Sequence, residues 1–72
     1  MSNQNAIHDV LSRIYENQLA LEAAIMELVL SAEQHGAVEV GDNARGALHV
    51  IGENAGHIRQ GLAQIKGAIN PD

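Results

Sequence analysis

Apolar residues recur along the first half of the chain with the spacing of a coiled-coil helix. Alternating steps of four and three residues place them on the one helix face that packs against another helix. This first seam comprises Ile7, Leu11, Ile14, Gln18, Leu21, Ile25, Leu28 and Ala32. Neither Gly nor Pro interrupts residues 5–35. The pattern therefore predicts one continuous helix over about 5–35, with Gly36 as its C-terminal stop.

The second half of the chain repeats this spacing without a polar interruption. Its seam comprises Ala44, Leu48, Ile51, Ala55, Ile58, Leu62, Ile65 and Ile69. A turn is predicted over about residues 36–41, where Gly36 and Gly41 enclose four residues. Asp42 or Asn43 can then cap a second helix over about 42–69 that ends at Asn70-Pro71.

The two seams also match each other in register. If the chain folds back on itself, the residue numbers of facing positions add to 76 throughout, from Ala32 opposite Ala44 to Ile7 opposite Ile69. That sum centres the turn on residue 38, inside the segment between the glycines. The chain of 72 residues is therefore predicted to be a single all-α domain, an antiparallel two-helix hairpin of the coiled-coil type.

A hairpin of this size needs to bury more apolar surface than its two helices can bury against each other. Below about 70 to 80 residues, one core rarely stabilises a domain by more than a few kcal/mol. The first helix carries a second apolar ridge outside its seam, at Tyr15, Leu19, Ala23, Met26 and Leu30. In the second helix, Gly52 and Gly56 leave a shallow groove for a neighbouring helix, unless the glycines only loosen that helix.

We therefore expect two hairpins to pack through the ridge into a homodimeric four-helix bundle. The alternative is a hetero-complex in which another protein supplies the missing helices. Gln18, the one polar member of the first seam, either fixes the register or the oligomeric state, or bends its long side chain out to water.

Composition and charge disfavour several classes of protein. With no Cys, the chain has no disulfide framework and no thiolate nucleophile or ligand. Four Lys and Arg against nine Asp and Glu give a net charge of −5, which disfavours nucleic acid and anionic lipid as partners. The most apolar stretch, residues 19–30, spans about 12 residues where a membrane helix needs about 20. Since residues 1–5 also lack the basic start of a signal peptide, we expect a cytoplasmic protein.

The only arrangement with metal-ligand spacing is His49, Glu53 and His57, which recur at every fourth residue of the second helix. Zinc sites use His pairs at this spacing, completed by ligands from elsewhere. The three residues point away from the second seam, so a solvated helix face is the favoured interpretation and no metal or cofactor is expected.

The function expected from the sequence is non-enzymatic, because a thin hairpin offers no water-excluding cleft for catalysis. We expect a small acidic protein of the adaptor, chaperone or inhibitor type that acts through protein–protein interaction and self-associates. The alternative is a metal- or pH-responsive binding protein that uses the His49, Glu53 and His57 face. No motif in the chain identifies a known family.

Overall fold

A computed structural model describes residues 3–69 as two helices. Helix α1 spans Asn3–Gln34 and helix α2 spans Val38–Ile69, with 32 residues each. They lie antiparallel in a rod with extents of 52 × 17 × 15 Å, and residues 3–69 contain no strand. The prediction of an all-α helical hairpin is confirmed. The predicted stop at Asn70-Pro71 lies outside the described residues.

The turn between the helices is built on a left-handed glycine. Gly36 has φ of 81°, and its N–H donates to the carbonyl of Glu33 at 3.1 Å. The next N–H, of Ala37, donates to the carbonyl of Ala32 at 2.9 Å. These two bonds form the Schellman motif, which satisfies the last carbonyls of a helix. Ala37 also starts α2, because its carbonyl accepts the N–H of Gly41 at 3.0 Å.

The turn is shorter than the sequence suggested. The expected connector over residues 36–41 reduces to the few residues between Gln34 and Val38. The capping role expected of Asp42 or Asn43 is therefore wrong. Helix α2 begins one full turn earlier because the Ala37 carbonyl already accepts its first helical hydrogen bond.

The shorter turn changes the register of the hairpin. Gly41 lies against Glu33 and Gly52 lies against Glu22, and the residue numbers of both pairs add to 74 instead of the expected 76. The centre of the turn therefore falls at residue 37. A shift of this size turns a different side of α1 towards α2, because each residue advances about 100° around a helix.

The α2 seam lies at the helix interface as predicted, and Leu48 is only 6% exposed. The α1 seam was predicted wrongly at several positions. Ile14 is 49%, Leu21 is 54% and Leu28 is 69% exposed. Val29 takes an inward position instead and is 2% exposed, and Tyr15, Gln18, Glu22 and Ile25 are half-buried with it.

The hydrophobic core of the isolated hairpin is very small. Within the described residues, Val29 and Leu48 are the only buried hydrophobic side chains, whereas thirteen large hydrophobic side chains are exposed. Globular chains do expose single apolar residues, but contiguous apolar patches mark interaction sites. In residues 3–69, more large hydrophobic side chains are therefore exposed than buried.

We expect Gly36→Ala to destabilise the hairpin by about 1 kcal/mol, because a Cβ is strained in the left-handed conformation. For a domain of this size the loss lowers Tm by roughly 4–8 °C. Thermal unfolding followed by circular dichroism measures the change.

Gly46→Ala is the matched control for that substitution. Gly46 is an exposed helical residue, and an added Cβ would meet nothing within 4 Å. Alanine is favoured over glycine in a helix by roughly 0.5–1 kcal/mol, so Tm should rise. No change in Tm for Gly36→Ala would contradict the left-handed turn. A fall in Tm for Gly46→Ala would contradict the exposed helical position of that residue.

Candidate interaction surfaces

The largest exposed apolar feature is a line of side chains along α1 that we call the outer stripe. It consists of Ile7, Val10, Ile14, Leu21 and Leu28, which are between 49% and 69% exposed. Four of its members recur at intervals of seven residues, and Val10, Asn17 and Ala24 fall between them at the complementary heptad position. The outer stripe therefore has the spacing of a complete second coiled-coil seam.

Two apolar cavities open beside the outer stripe, between α1 and α2. The open-end cavity has a volume of about 270 Å³ and is lined by Leu11, Ile14, Tyr15, Ile58, Gly61, Leu62 and Ile65. The turn-end cavity has a volume of about 170 Å³ and is lined by Ile25, Leu28, Val29, Ala32, Val40 and Ala44. Ile14 and Leu28 belong to both the outer stripe and a cavity wall, so these features form one apolar face.

The ridge expected from the sequence is present only in part. Leu19, Met26 and Leu30 are between 37% and 43% exposed and lie on the opposite flank of α1 from the outer stripe. Ala23 is exposed beside them. Tyr15, by contrast, is half-buried and lines the open-end cavity with α2 residues.

The glycine groove expected on α2 is partly filled. The carboxylate of Glu22 lies 3.4 Å from the point where a Cβ of Gly52 would stand, so it occupies the space that this glycine leaves. Gly56 is half-buried, and a Cβ there would meet nothing within 4 Å. The Gly52 end of the groove is exposed but bordered by Glu22, and the Gly56 end is half-buried with no atom in the place of a Cβ.

An ion pair joins the two helices on the ridge side of the hairpin. The guanidinium of Arg45 donates through Nε to Glu33 Oε2 at 2.7 Å and through Nη2 to Glu33 Oε1 at 2.9 Å. Two parallel hydrogen bonds of this kind are the strongest geometry available to an Arg–carboxylate pair. Gly41 makes it possible, because a Cβ there would stand 2.9 Å from the Cγ of Glu33.

The pair lowers the pKa of Glu33, chiefly through the hydrogen bonds from Arg45. Desolvation opposes this shift, and the positive charge of Arg45 adds a smaller effect that lowers the pKa further. The same contacts raise the pKa of Arg45. Glu33 therefore stays ionised to more acidic pH in the folded hairpin than in the unfolded chain.

A mixed polar cavity lies near this ion pair. It has a volume of about 310 Å³ and is lined by Glu22, Met26, Arg45, Leu48 and His49. Its Arg45 guanidinium is bonded to Glu33, and its His49 imidazole lies 2.9 Å from Glu53. Both nitrogen-bearing side chains of this cavity therefore already have a carboxylate partner.

The His49, Glu53 and His57 face forms an exposed helix surface. Nε2 of His49 and Oε1 of Glu53 are 2.9 Å apart, and their side chains are mostly exposed. His57 is also exposed, and the structure assembles no group of three potential metal ligands anywhere in residues 3–69.

Gln18 faces α2, as the first seam predicted. It is half-buried, and no side-chain nitrogen or oxygen in the described part of the chain is buried without a partner. The amide of Gln18 is therefore not buried without a hydrogen-bond partner.

Comparisons with known proteins give no relative: no protein-family model, no curated protein and no solved structure matches the chain. Neither helix, over residues 3–69, has a stretch that is long and apolar enough to cross a membrane. Function is therefore inferred from the surfaces of the hairpin itself.

Two features of these surfaces, the outer stripe and the Glu33–Arg45 ion pair, were not predicted from the sequence. The outer stripe could have been found from the intervals of seven between Ile7, Ile14, Leu21 and Leu28, but those positions were assigned to the hairpin interface. The Glu33–Arg45 pair depends on the register of the turn, and no local pattern signals it.

We expect Glu33→Gln to lower Tm at pH 7, because the substitution removes the charge that Arg45 binds. The contribution of Glu33 is fully present above the unfolded pKa of about 4.3 and is lost as pH falls through the lower pKa of the folded state. The Tm difference between parent and Glu33→Gln should therefore shrink with acidification. Thermal unfolding between neutral and acidic pH measures it, with Glu27→Gln as the matched control because Glu27 is an exposed carboxylate in the middle of a helix.

A Tm difference that is unchanged down to the most acidic pH at which the hairpin still folds would contradict this account of the ion pair.

Proposed function

We propose that this chain is a non-enzymatic helical protein that acts through protein–protein interaction and self-associates into a four-helix bundle. The observation that carries the proposal is the imbalance between two buried and thirteen exposed large hydrophobic side chains within residues 3–69. Burial of apolar surface is the main favourable term in folding and association. A hairpin with this imbalance gains most of its stability when another surface covers it.

The lining of the cavities supports a binding role over a catalytic one. The two apolar cavities are lined mainly by aliphatic side chains, which supply neither a nucleophile nor a base. In the polar cavity, the Arg45 guanidinium is bonded to Glu33 and the His49 imidazole lies beside Glu53. The aliphatic lining of the two apolar cavities therefore suits the apolar side chains of a partner protein.

The ridge side of the hairpin offers a second interaction surface. Leu19, Met26 and Leu30 offer apolar anchors of the kind that a groove or a partner helix receives. Glu16 and Glu27 each lie three residues before a ridge leucine and therefore beside it on the helix surface. Their charge favours a basic partner, as expected for a small adaptor, chaperone or inhibitor.

Self-association is tested by thermal unfolding over a dilution series. If folding is coupled to dimerisation, a hundredfold dilution lowers the stability of the folded dimer by about 2.8 kcal/mol, and Tm falls by several degrees. Light scattering at the same concentrations should give twice the 7.7 kDa of one chain. A Tm that is independent of concentration, with the mass of a single chain, would contradict self-association.

A further inference from the structure

We propose that a second copy of this chain packs antiparallel on the outer stripe, about a two-fold axis that crosses α1 midway between Ile14 and Leu21. This inference rests on the self-association proposed above and adds the surface and the orientation. The sequence alone favoured the ridge, so the outer stripe is a different interface from the one first expected.

The accessible surface of the chain matches what such a partner would cover. The hairpin exposes 5469 Å², whereas a compact monomer of its mass exposes about 4,300 Å². The excess is roughly 1,100 Å². One partner in a standard protein interface covers about 800 Å², and stable homodimers cover more. A single second copy is therefore sufficient to account for the excess.

The two-fold axis places apolar residues of the outer stripe opposite apolar residues of the partner's outer stripe. Ile7 lies beside the partner's Leu28, and Ile14 lies beside the partner's Leu21. Each apolar side chain thus meets another apolar side chain, as a two-fold interface requires. Asn17, the polar residue within the heptad spacing, falls next to the axis and meets the partner's Asn17, where the two amides can bond to each other and fix the register.

The distribution of charge favours the antiparallel orientation. In the half of the hairpin near the turn, residues 20–54, six carboxylates and one Arg give a net charge of −5. In the open-end half, residues 3–19 and 55–69, two carboxylates and three basic residues give +1. Antiparallel packing sets the acidic end of one chain against the basic end of the other, whereas parallel packing sets the two acidic ends together.

The ridge is less suited to a second copy. Its leucines and Met26 are less exposed than the outer stripe. An antiparallel contact there would also bring Glu16 close to the partner's Glu27, and like charges across an interface are unfavourable.

Single-cysteine cross-linking tests the orientation, since the chain has no Cys of its own. Asn17 and Ser31 occupy the same heptad position, fourteen residues apart. In the proposed dimer, Asn17→Cys lies beside its own copy and should form a covalent dimer on oxidation. Ser31→Cys lies about 40 Å from its copy, far beyond the Cα separation of about 7 Å that a disulfide allows, and should stay reduced.

Cross-linking of both variants would indicate a parallel dimer, and cross-linking of neither or of Ser31→Cys alone would place the contact elsewhere. Each of these results overturns the proposal.

Leu21→Glu and Met26→Glu test the surface, because each places one carboxylate on one flank of α1. Light scattering should give a single-chain mass for Leu21→Glu and the parent's dimer mass for Met26→Glu. A dimer that survives Leu21→Glu, or one that is lost in both variants, overturns the outer stripe as the interface and leaves self-association standing. A parent that is itself a monomer overturns both proposals. If Leu21→Glu fails to fold by circular dichroism, the cross-linking pair decides the outcome.

Discussion

The turn at Gly36 determines which side of α1 faces α2, and the remaining surfaces of the hairpin follow from it. The left-handed φ of Gly36 and the two Schellman hydrogen bonds end α1 and let the carbonyl of Ala37 begin α2 at once. Because the connector is so short, the two helices have little freedom to slide along each other. The register that results brings Glu33 within reach of Arg45, and this ion pair strengthens the same register.

That register leaves polar residues inside the hairpin and apolar residues outside it. Gln18 and Glu22 face α2 and are half-buried, whereas Leu21 and Leu28 are exposed. This distribution is unfavourable for an isolated hairpin but suitable for a half of a larger bundle. In a four-helix bundle, each helix needs apolar residues on two flanks. Helix α1 has exposed apolar residues on both sides of its contact with α2.

The helices, their antiparallel order and the α2 seam could be predicted from the sequence because heptad spacing and the absence of Gly and Pro are local signals. The face of α1 was predicted only in part, because it depends on the length of the turn. Residues 38–41 contain Val, Glu, Val and Gly, and nothing local reveals that the Ala37 carbonyl begins the helix before them. The sum of facing residue numbers differs by two from the expected one. Ile14 and Leu21 therefore lie on the surface instead of in the predicted interface, and Tyr15 lies half-buried instead of on the predicted ridge.

The contact of the outer stripe with a second copy of the chain is the central feature of the proposed dimer. The most direct measurement is an isotope-filtered nuclear Overhauser experiment on a mixture of ¹³C-labelled and unlabelled chains, which detects only contacts between different chains. The account predicts contacts from Ile7 methyl groups to the partner's Leu28 and from Ile14 to the partner's Leu21. Contacts confined to the methyl groups of Leu19, Met26 and Leu30, or no contacts between chains, would contradict it.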